Sequence, residues 1–125
     1  MKLIIAGGRD FTDDLLMETT SQNHSLMEAV TEVVCGMARG ADTVGYNWAK
    51  ENNIPIKKFF ANWDQLGKKA GYLRNVEMGE YADALLAFWD GHSKGTRHMI
   101  DIMKRLKKPY LVISYDGKII EWEDK

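Results

Sequence analysis

The sequence predicts an α/β fold: a Rossmann-like three-layer sandwich built on a mainly parallel five-stranded sheet. Three short apolar runs typical of buried strands each end in a glycine-rich turn, and a helical pattern follows each turn. Parallel sheets gather such turns at their carboxyl edge. The turns are residues 6–10, 35–42 and 90–96. No linker, repeat or low-complexity segment divides the chain, so residues 1–125 are predicted to form a single domain.

The first elements are a strand and a helix in two parts. Residues 2–6 are predicted as a strand that is buried on both faces, because its apolar run is continuous. Thr12 is expected to cap a helix with an acidic first turn, since acidic side chains are favourable near a helix N-terminus. Ser25 can restart that helix, with Glu28 three residues later completing a capping box.

The middle of the chain supplies two strands, one helix and a loop. Residues 31–35 are predicted as the second strand and residues 41–52 as the second helix, which has apolar side chains at helical spacing. Pro55 precedes a third predicted strand at residues 56–60. Residues 61–70 have no clear period and are interpreted as a functional loop.

The last part of the chain completes the alternation of helices and strands. Residues 71–81 and 96–107 are predicted as helices, and residues 83–88 and 109–114 as the fourth and fifth strands. The tail at residues 115–122 contains an Asp-Gly pair typical of tight turns, so it is expected to form a short hairpin arm. Right-handed crossovers favour the strand order 3-2-1-4-5, which brings the three glycine-rich turns side by side.

Composition narrows the class of protein. A hydrophobic fraction of 45% and a charged fraction of 28% are ordinary for a globular domain. The net charge of -1 argues against a whole-molecule electrostatic grip on nucleic acid, so nucleic acid is not expected as a partner. The single Cys35 excludes an internal disulfide framework and is expected to be buried rather than nucleophilic. No long apolar segment occurs, which favours a cytoplasmic location, in a bacterial or phage-infected cell, and no membrane partner.

Each glycine-rich turn carries a cation that can bind phosphate: Arg9, Arg39 and Lys94, respectively. Glycine lets backbone N–H groups approach an anion closely, and a helix that starts there adds a favourable dipole. Guanidinium groups suit bidentate phosphate binding. The alternative for the two arginines is a salt bridge to the adjacent Asp10 or Asp42, and Asp42 can equally cap the helix that it starts.

The third turn is the best candidate for a phosphate cradle. Ser93 or Thr96 can donate a hydroxyl group and Lys94 can supply charge, while the helix start offers its N–H groups. The alternative is an ordinary strand-to-helix loop that needs glycine for a positive φ. The predicted ligand-binding residues are Gly7, Gly8, Arg9, Gly36, Arg39, Gly40, Trp63, Arg74, Asn75, Gly91, Ser93, Lys94, Gly95 and Thr96.

Two further segments supply candidates for the same pocket. Trp63 can stack on a base while Asp64 hydrogen-bonds the edge of that base, although packing of Trp63 over the sheet edge is the equal alternative. Arg74 and Asn75 are placed near the start of a predicted helix. One of these two side chains is expected to reach the pocket and the other to be structural.

Four segments, taken in order, carry a family resemblance. They are residues 7–11, 36–42, 62–75 and 91–96. Together they resemble the YspA-like, cpYpsA-related branch of the SLOG superfamily, and the likeness extends over residues 3–113. The resemblance implies a Rossmann-like fold and the binding of a nucleotide or nucleotide-derived ligand. Members of the superfamily include enzymes that act on nucleotides, sensors in bacterial conflict systems and DNA-binding relatives, and the branch is common in phage genomes.

The chain departs from the superfamily at one catalytic position. The cytokinin-activating relatives are phosphoribohydrolases with the motif Pro-Gly-Gly-x-Gly-Thr-x-x-Glu, whose glutamate takes part in the chemistry. Alignment of Gly95 and Thr96 with its Gly-Thr pair places Met99 at the glutamate position. A thioether cannot accept a proton or stabilise a cationic ribosyl centre, so the resemblance supports phosphate binding more than that hydrolase activity.

These patterns favour the binding of a nucleotide or nucleotide-derived phosphate ligand at the carboxyl edge of the sheet, by a sensor or sequestering protein in a phage or bacterial conflict. The phosphate is expected between residues 7–8 and 91–96. Two alternatives stay open. One is a hydrolase that cleaves an N-glycosidic or phosphate bond, with Asp10, Asp42 or Asp64 as its acid. The other is a nucleic-acid-associated module.

A metal ion is a further hypothesis for the same edge. No Cys/His, Ser/His/Asp or metal-ligand constellation is recognisable in the spacing. Four aspartates can nevertheless be imagined to converge on Mg²⁺ together with the phosphates of a ligand, and dispersed solvated aspartates are the alternative. The four are Asp10, Asp42, Asp64 and Asp90.

A second copy of the chain is the expected macromolecular partner. The family resemblance implies pairing, so a homodimer is predicted. Apolar helix faces rich in methionine are either core or the dimer surface. The methionines concerned are Met17, Met27, Met99 and Met103.

Overall fold

A computed structural model describes residues 1–124, which form one six-stranded sheet with helices on both faces. The strands are β1 Lys2–Gly7, β2 Glu32–Cys35, β3 Ile56–Lys58, β4 Ala84–Phe88, β5 Tyr110–Ile113 and β6 Ile119–Glu123. The helices are α1 Asp14–Asn23, α2 Ala41–Glu51, α3 Trp63–Leu66, α4 Lys69–Tyr81 and α5 Lys94–Leu106, and a 3-10 helix spans Ser25–Ala29. The order β3-β2-β1-β4-β5-β6 confirms the predicted order of the first five strands, which run parallel.

The sheet has six strands rather than the predicted five, because the C-terminal tail joins its edge. β6 runs antiparallel to β5, with Leu111 opposite Trp122. The chain reverses through Gly117, whose φ is +90°, and the N–H of Ser114 donates to the carbonyl of Lys118 at 2.8 Å. An unpaired β5 would expose a row of backbone groups that this pairing satisfies. The predicted hairpin arm is therefore part of the sheet.

The central strand is buried on both faces, as its continuous apolar run predicts. Leu3 and Ile5 pack in a cluster with side chains of α1 and α2. Ile4 packs in a second cluster with side chains of α4 and α5. This arrangement gives the three layers of the predicted sandwich.

The apolar helix faces that were candidates for a dimer surface are buried in the core of the domain. Met17, Met27, Met99 and Met103 are all at most 7% exposed and belong to the two core clusters. A homodimer therefore stays a prediction that must rest on another surface. Within residues 1–124 no helix is long and apolar enough to cross a bilayer.

Three helices begin at residues other than the predicted ones: α4 begins at Lys69 rather than at residue 71, and neighbouring side chains cap the other two. Asp13 rather than Thr12 caps α1, and its carboxylate accepts the N–H of Leu16 at 3.0 Å. α5 begins at Lys94 rather than at residue 96, because Ser93 caps it. The third glycine-rich turn is consequently shorter than the sequence suggested.

The segment predicted as a loop at residues 61–70 is largely helical. Asn62 caps the short helix α3 by accepting the N–H of Gln65 at 3.4 Å. Gly67 ends α3 with a φ of +56°, and α4 starts two residues later. These two helices carry Trp63 and Arg74 to the carboxyl edge of the sheet.

Candidate functional site

The turns after β1 and β2 touch each other backbone to backbone. The carbonyl of Gly8 accepts the N–H of Phe11 at 3.2 Å and that of Ala41, the first residue of α2, at 3.1 Å. Gly40 has a φ of +76°, and a Cβ there would overlap the backbone of Gly8 and Arg9. Glycine is required at this position both for its conformation and for this close approach.

Asp10 accepts a hydrogen bond from Tyr115, which belongs to a small cluster of aromatic side chains. Phe11 stacks on Phe88 with ring centroids 4.3 Å apart, and the tilted ring of Tyr115 lies 5.1 Å from Phe11. The Tyr115 hydroxyl donates to Asp10 at 2.7 Å. Burial and this carboxylate raise the pKa of Tyr115 above its usual value. The alternative of an Arg9–Asp10 salt bridge is wrong, because Asp10 is engaged by Tyr115 and Arg9 makes no ion pair within residues 1–124.

Asp42 is a buried carboxylate at the start of α2. It is 7% exposed, and its Oδ2 accepts the N–H of Ala38 at 3.1 Å. Burial raises the pKa of Asp42 above its ordinary value, although the Ala38 N–H and the positive charges of Arg74 and Arg9 act in the opposite direction. The alternative of an Arg39–Asp42 salt bridge is also wrong, since Arg39 forms no ion pair within the described chain.

Arg74 and Asn75 link α4 to the turns after β2 and β4. Arg74 donates from Nη1 to the carbonyl of Gly36 at 3.1 Å, and its Nε is buried without a hydrogen-bond partner in the described chain. The Asn75 amide donates to the carbonyl of Gly95 at 3.5 Å and lies 3.3 Å from Nδ1 of His98. One residue of the pair was expected to be structural, but both line the cavity described below.

A histidine behind Asn75 orients its side chain. The imidazole of His98 stacks on the ring of Tyr72 at a centroid distance of 4.2 Å. Burial and the charge of Arg105 lower the pKa of His98, with Asp101 acting against them. The neutral ring can accept the Asn75 amide proton at Nδ1, while the Asn75 carbonyl oxygen accepts from Nη2 of Arg74 at 3.5 Å.

The turn after β4 is held by its own side chains. Asp90 Oδ1 accepts the N–H groups of His92 and Ser93, both at 2.8 Å, and these bonds lower the pKa of Asp90. The Ser93 hydroxyl caps α5 at the N–H of Thr96 and lies 2.9 Å from the Thr96 hydroxyl. The N–H groups of α5 before Thr96 have no acceptor among the described residues, so they can bind an anion.

These turns enclose an open cavity of about 440 Å³ at the carboxyl edge, here called the acidic lobe. Its lining residues are Ala6, Gly7, Gly8, Arg9, Asp10, Ala38, Asp42, Arg74, Asn75, Met78, Asp90, Ser93, Gly95, Thr96 and Met99. Met99, 1% exposed, contributes its thioether to this lining. The lining of this lobe therefore combines many hydrogen-bonding groups with the apolar side chains of Met78 and Met99.

A second cavity of about 420 Å³ adjoins the first and is here called the arginine lobe. Its lining residues are Arg9, Gly36, Met37, Ala38, Arg39, Phe60, Ala61, Trp63 and Arg74. Three residues line both lobes, so the two form one groove. The shared residues are Arg9, Ala38 and Arg74.

Most predicted site residues lie along this groove, and four do not line it. Gly40 lies against the backbone of Gly8 and Arg9, where the first two turns meet. Gly91, Lys94 and Asp64 also line neither lobe. Sequence reasoning missed Met78, although its place four residues after Arg74 puts both on one face of α4. It also missed Phe60, for which the sequence carried no signal.

The four aspartates do not form a metal site by themselves within the described chain, and Mg²⁺ held together with the phosphates of a ligand stays a prediction. No group of three or more His, Cys, Asp or Glu side chains within residues 1–124 is placed to hold a cation. Asp42 is buried against Ala38, Asp10 accepts from Tyr115, and Asp90 closes its own turn. Local hydrogen bonds engage each of these three carboxylates, although all three line the acidic lobe.

Cys35 is buried, as predicted, and supports the second turn. It is 2% exposed, and burial raises the pKa of its thiol to about 11. Its sulfur accepts the N–H of Met37 at 3.4 Å. A thiol with this pKa is a poor nucleophile at neutral pH.

One solved structure resembles the fold. DNA processing protein A (DprA) from Streptococcus pneumoniae aligns with a TM-score of 0.71 over 90% of this chain, at 14% identity. This chain spans about 50% of the length of that DprA chain. At this identity the likeness shows a Rossmann-like α/β fold and nothing about ligands.

Two sequence comparisons identify the family. The family described as YspA, cpYpsA-related SLOG matches residues 1–66. The Gene 61 protein of Mycobacterium phage D29 is 47% identical over 92 residues, which cover 69% of this chain and 72% of that protein. The family match includes the first two glycine-rich turns and the whole of α3. The chain therefore belongs to the YspA, cpYpsA-related SLOG family.

Proposed function

We propose that this protein binds a nucleotide or nucleotide-derived phosphate ligand in the groove at the carboxyl edge of its sheet. The observation that carries the proposal is the meeting of three glycine-rich turns around one open cavity of about 440 Å³. Such cavities at the carboxyl ends of parallel strands are the usual ligand sites of α/β folds. Membership of a SLOG family supports a nucleotide-related ligand.

The chemistry of the lining suits the two parts of a nucleotide. Arg9 and Arg74 can bind phosphate oxygens. Asp42 and Asn75 can accept hydrogen bonds from ribose hydroxyls or from a base. Side chains of both kinds within one cavity favour a ligand that is anionic at one end and a hydrogen-bond donor at the other.

A role in phage or bacterial conflict extends this proposal. The phage relative supports a protein that senses or sequesters a nucleotide signal in the cytoplasm of an infected cell. Native mass spectrometry of protein purified from such cells would reveal a bound ligand by its mass. Recovery of the protein without any bound small molecule from infected and uninfected cells alike would count against this role.

Thermal-shift screening against nucleotides, including cyclic and ADP-ribose-derived compounds, tests the binding proposal. A ligand present at 100 times its Kd should stabilise the protein by about 2.7 kcal/mol. Gly95→Val should abolish this stabilisation, because a Cβ at Gly95 meets no protein atom within 4 Å and the valine side chain would occupy the cavity. Arg105→Val, in the last turn of the same helix, is the matched control. Equal stabilisation of both variants by the ligand would contradict the proposed site.

Hydrolysis of the bound nucleotide is a second candidate function, and Asp42 is the observation that favours it. A buried carboxyl group with a raised pKa in a cavity has the properties of a general acid. Of the other two candidates, Asp10 accepts from Tyr115 and Asp64 lines neither lobe. Product formation that Asp42→Asn abolishes and Asp64→Asn leaves intact would support a hydrolase. Full turnover by Asp42→Asn would contradict this role.

Single-stranded nucleic acid is a further candidate, favoured by exposed aromatic rings beside arginines. Phe60 is 71% exposed and Trp63 is 48% exposed, and both border the arginine lobe. Stacking platforms next to cations are typical of proteins that bind unpaired bases. The name of the solved neighbour, DNA processing protein A, gives no support to the expectation that nucleic acid is excluded. Oligonucleotide binding that weakens steeply with salt would favour this function, and weak binding with a shallow salt dependence would oppose it.

A further inference from the structure

Charge is divided unequally between the two lobes of the groove. The three acidic side chains that line it all belong to the acidic lobe. They are Asp10, Asp42 and Asp90. The arginine lobe is lined by Arg39 together with the shared Arg9 and Arg74, and by no acidic residue. An anion is therefore attracted to the arginine lobe and repelled by carboxylates in the other.

The three arginines are available to a ligand. Arg9 and Arg39 are exposed and form no hydrogen bond or ion pair within residues 1–124. Arg74 is held by the carbonyl of Gly36 but keeps a buried, unpartnered Nε. Asp42 lies close enough to Arg9 and Arg74 to interact with their charges, but three guanidinium groups around one cavity still offer more donors than a single phosphate group needs.

Aromatic side chains shield one side of the arginine lobe. A Cβ at Gly71 would lie 3.0 Å from the ring of Trp63, so this ring rests against α4. Phe60 also lines this lobe. Apolar surface beside the guanidinium groups lowers the local dielectric constant and strengthens their attraction for phosphate.

We propose that the ligand spans both lobes, with its nucleoside in the acidic lobe and a di- or triphosphate chain in the arginine lobe. The inference rests on the proposed nucleotide-binding function and names the class of nucleotide. A first phosphate reaches the shared arginines, Arg9 and Arg74, and the further phosphates reach Arg39. A nucleoside monophosphate leaves Arg39 without a partner.

Calorimetric titration with the 5′-mono-, di- and triphosphates of the four common ribonucleosides, in EDTA without Mg²⁺, tests the inference. For the nucleoside that binds, affinity should rise about tenfold or more from the monophosphate to the triphosphate. Arg39→Gln should remove most of this rise and leave the affinity for the monophosphate within about twofold, because only the longer chains reach Arg39. Arg39→Gln should melt at the wild-type temperature without ligand, since the Arg39 side chain is exposed.

Lys94→Gln is the control with the same change of charge. Lys94 is exposed at the start of α5 and lines neither lobe, so its removal should leave the monophosphate-to-triphosphate ratio unchanged. A ratio that falls in Lys94→Gln but not in Arg39→Gln would place the phosphates at the α5 N-terminus. That result, or equal affinity for mono- and triphosphates, would overturn the inference and leave the nucleotide-binding function standing. Failure of all twelve compounds to bind would also overturn the inference, and the thermal-shift panel with cyclic and ADP-ribose-derived compounds would then decide the proposed function separately.

Discussion

The groove has a closed half and an open half, although both are glycine-rich in the sequence. In the closed half, formed by the turns after β1 and β2, neighbouring atoms leave no room for a Cβ at Gly36 or Gly40. In the open half, formed by the turn after β4 and the start of α5, a Cβ at Gly91 or Gly95 would meet no protein atom within 4 Å. The same residue type thus serves packing on one side and open space on the other.

The difference shows what each half contributes to the site. The closed half is a rigid support, because the Gly8 carbonyl joins the first turn to α2 and Arg74 joins the second turn to α4. The open half provides the space that a ligand can fill, and Gly91 needs glycine only for its φ of +86°. Glycine substitutions should therefore affect stability in the closed half and binding in the open half.

The carboxylates follow the same division. Asp42 in the closed half is buried, and its pKa is raised because burial disfavours the charged form. Asp90 in the open half is exposed and accepts two N–H groups, which lower its pKa. One aspartate costs stability when it ionises, and the other stabilises its turn when it ionises.

Gly40→Ala should cause the largest loss of stability. Gly40 and Gly67 share a positive φ and a ψ near the same value, but only at Gly40 would a Cβ overlap neighbouring backbone. Gly67→Ala should cost about 1–3 kcal/mol for its backbone conformation alone. Gly40→Ala should cost about 1–3 kcal/mol more for the steric overlap. Urea unfolding measures both, and equal losses would show that the contact between the two turns is unimportant.

Replacement of the two aspartates should change stability in opposite directions. Because the folded-state pKa of Asp42 is raised, its contribution to stability is fully present below its usual pKa of 3.8 and is lost as the pH rises through the folded-state pKa. Asp42→Asn should therefore be more stable than wild type at pH 7, with a difference that shrinks towards pH 3.8.

Asp90→Asn is the opposite case, with a smaller effect because solvent screens the exposed carboxylate. Its folded-state pKa is lowered, so the carboxylate stabilises the protein above pH 3.8 and this contribution is lost as the pH falls through the folded-state pKa. Asp90→Asn should be slightly less stable than wild type at pH 7 and equal to it in strong acid. Free energies of unfolding at several pH values test both variants, and a destabilised Asp42→Asn at pH 7 would contradict the division.

Tyr115→Phe should weaken the closed half by about 1 kcal/mol, the usual contribution of one hydrogen bond. The variant keeps the ring beside Phe11 and removes only the hydroxyl that donates to Asp10. Thermal unfolding measures the loss. Tyr46→Phe is the matched control and should show no loss, because the Tyr46 hydroxyl forms no hydrogen bond within residues 1–124.

Gly95→Ala should have the smallest effect on stability and the opposite sign. The methyl group meets no protein atom within 4 Å, and alanine is favoured over glycine in a helix by about 0.5–1 kcal/mol at most. Unfolding in urea should show a slight gain. A clear loss would mean that the open half is packed as tightly as the closed half.

The order of elements and the parallel strand order followed from local patterns. Continuous apolar runs such as that of β1 predict strands buried on both faces, and short right-handed crossovers leave few ways to connect them. The glycine turns also predicted the edge at which the cavity lies, since turns after parallel strands share one edge. Helix starts were less accurate, because Asp13 and Ser93 compete with neighbouring residues that can also act as caps.

Local sequence patterns could not predict which remote segments of the chain come close together in the fold. Asp10 was paired with its neighbour Arg9 in one interpretation, whereas its partner Tyr115 lies 105 residues away. The edge strand β6 and the burial of all four methionines likewise depend on which surfaces meet. Periodicity and turn chemistry are local, so the fold class, the order of the five parallel strands and the edge with the candidate site could be predicted from residues near one another in the chain. The pairing of charges in the groove could not be predicted in this way, because electrostatic interactions depend on distance and burial rather than on position in the chain.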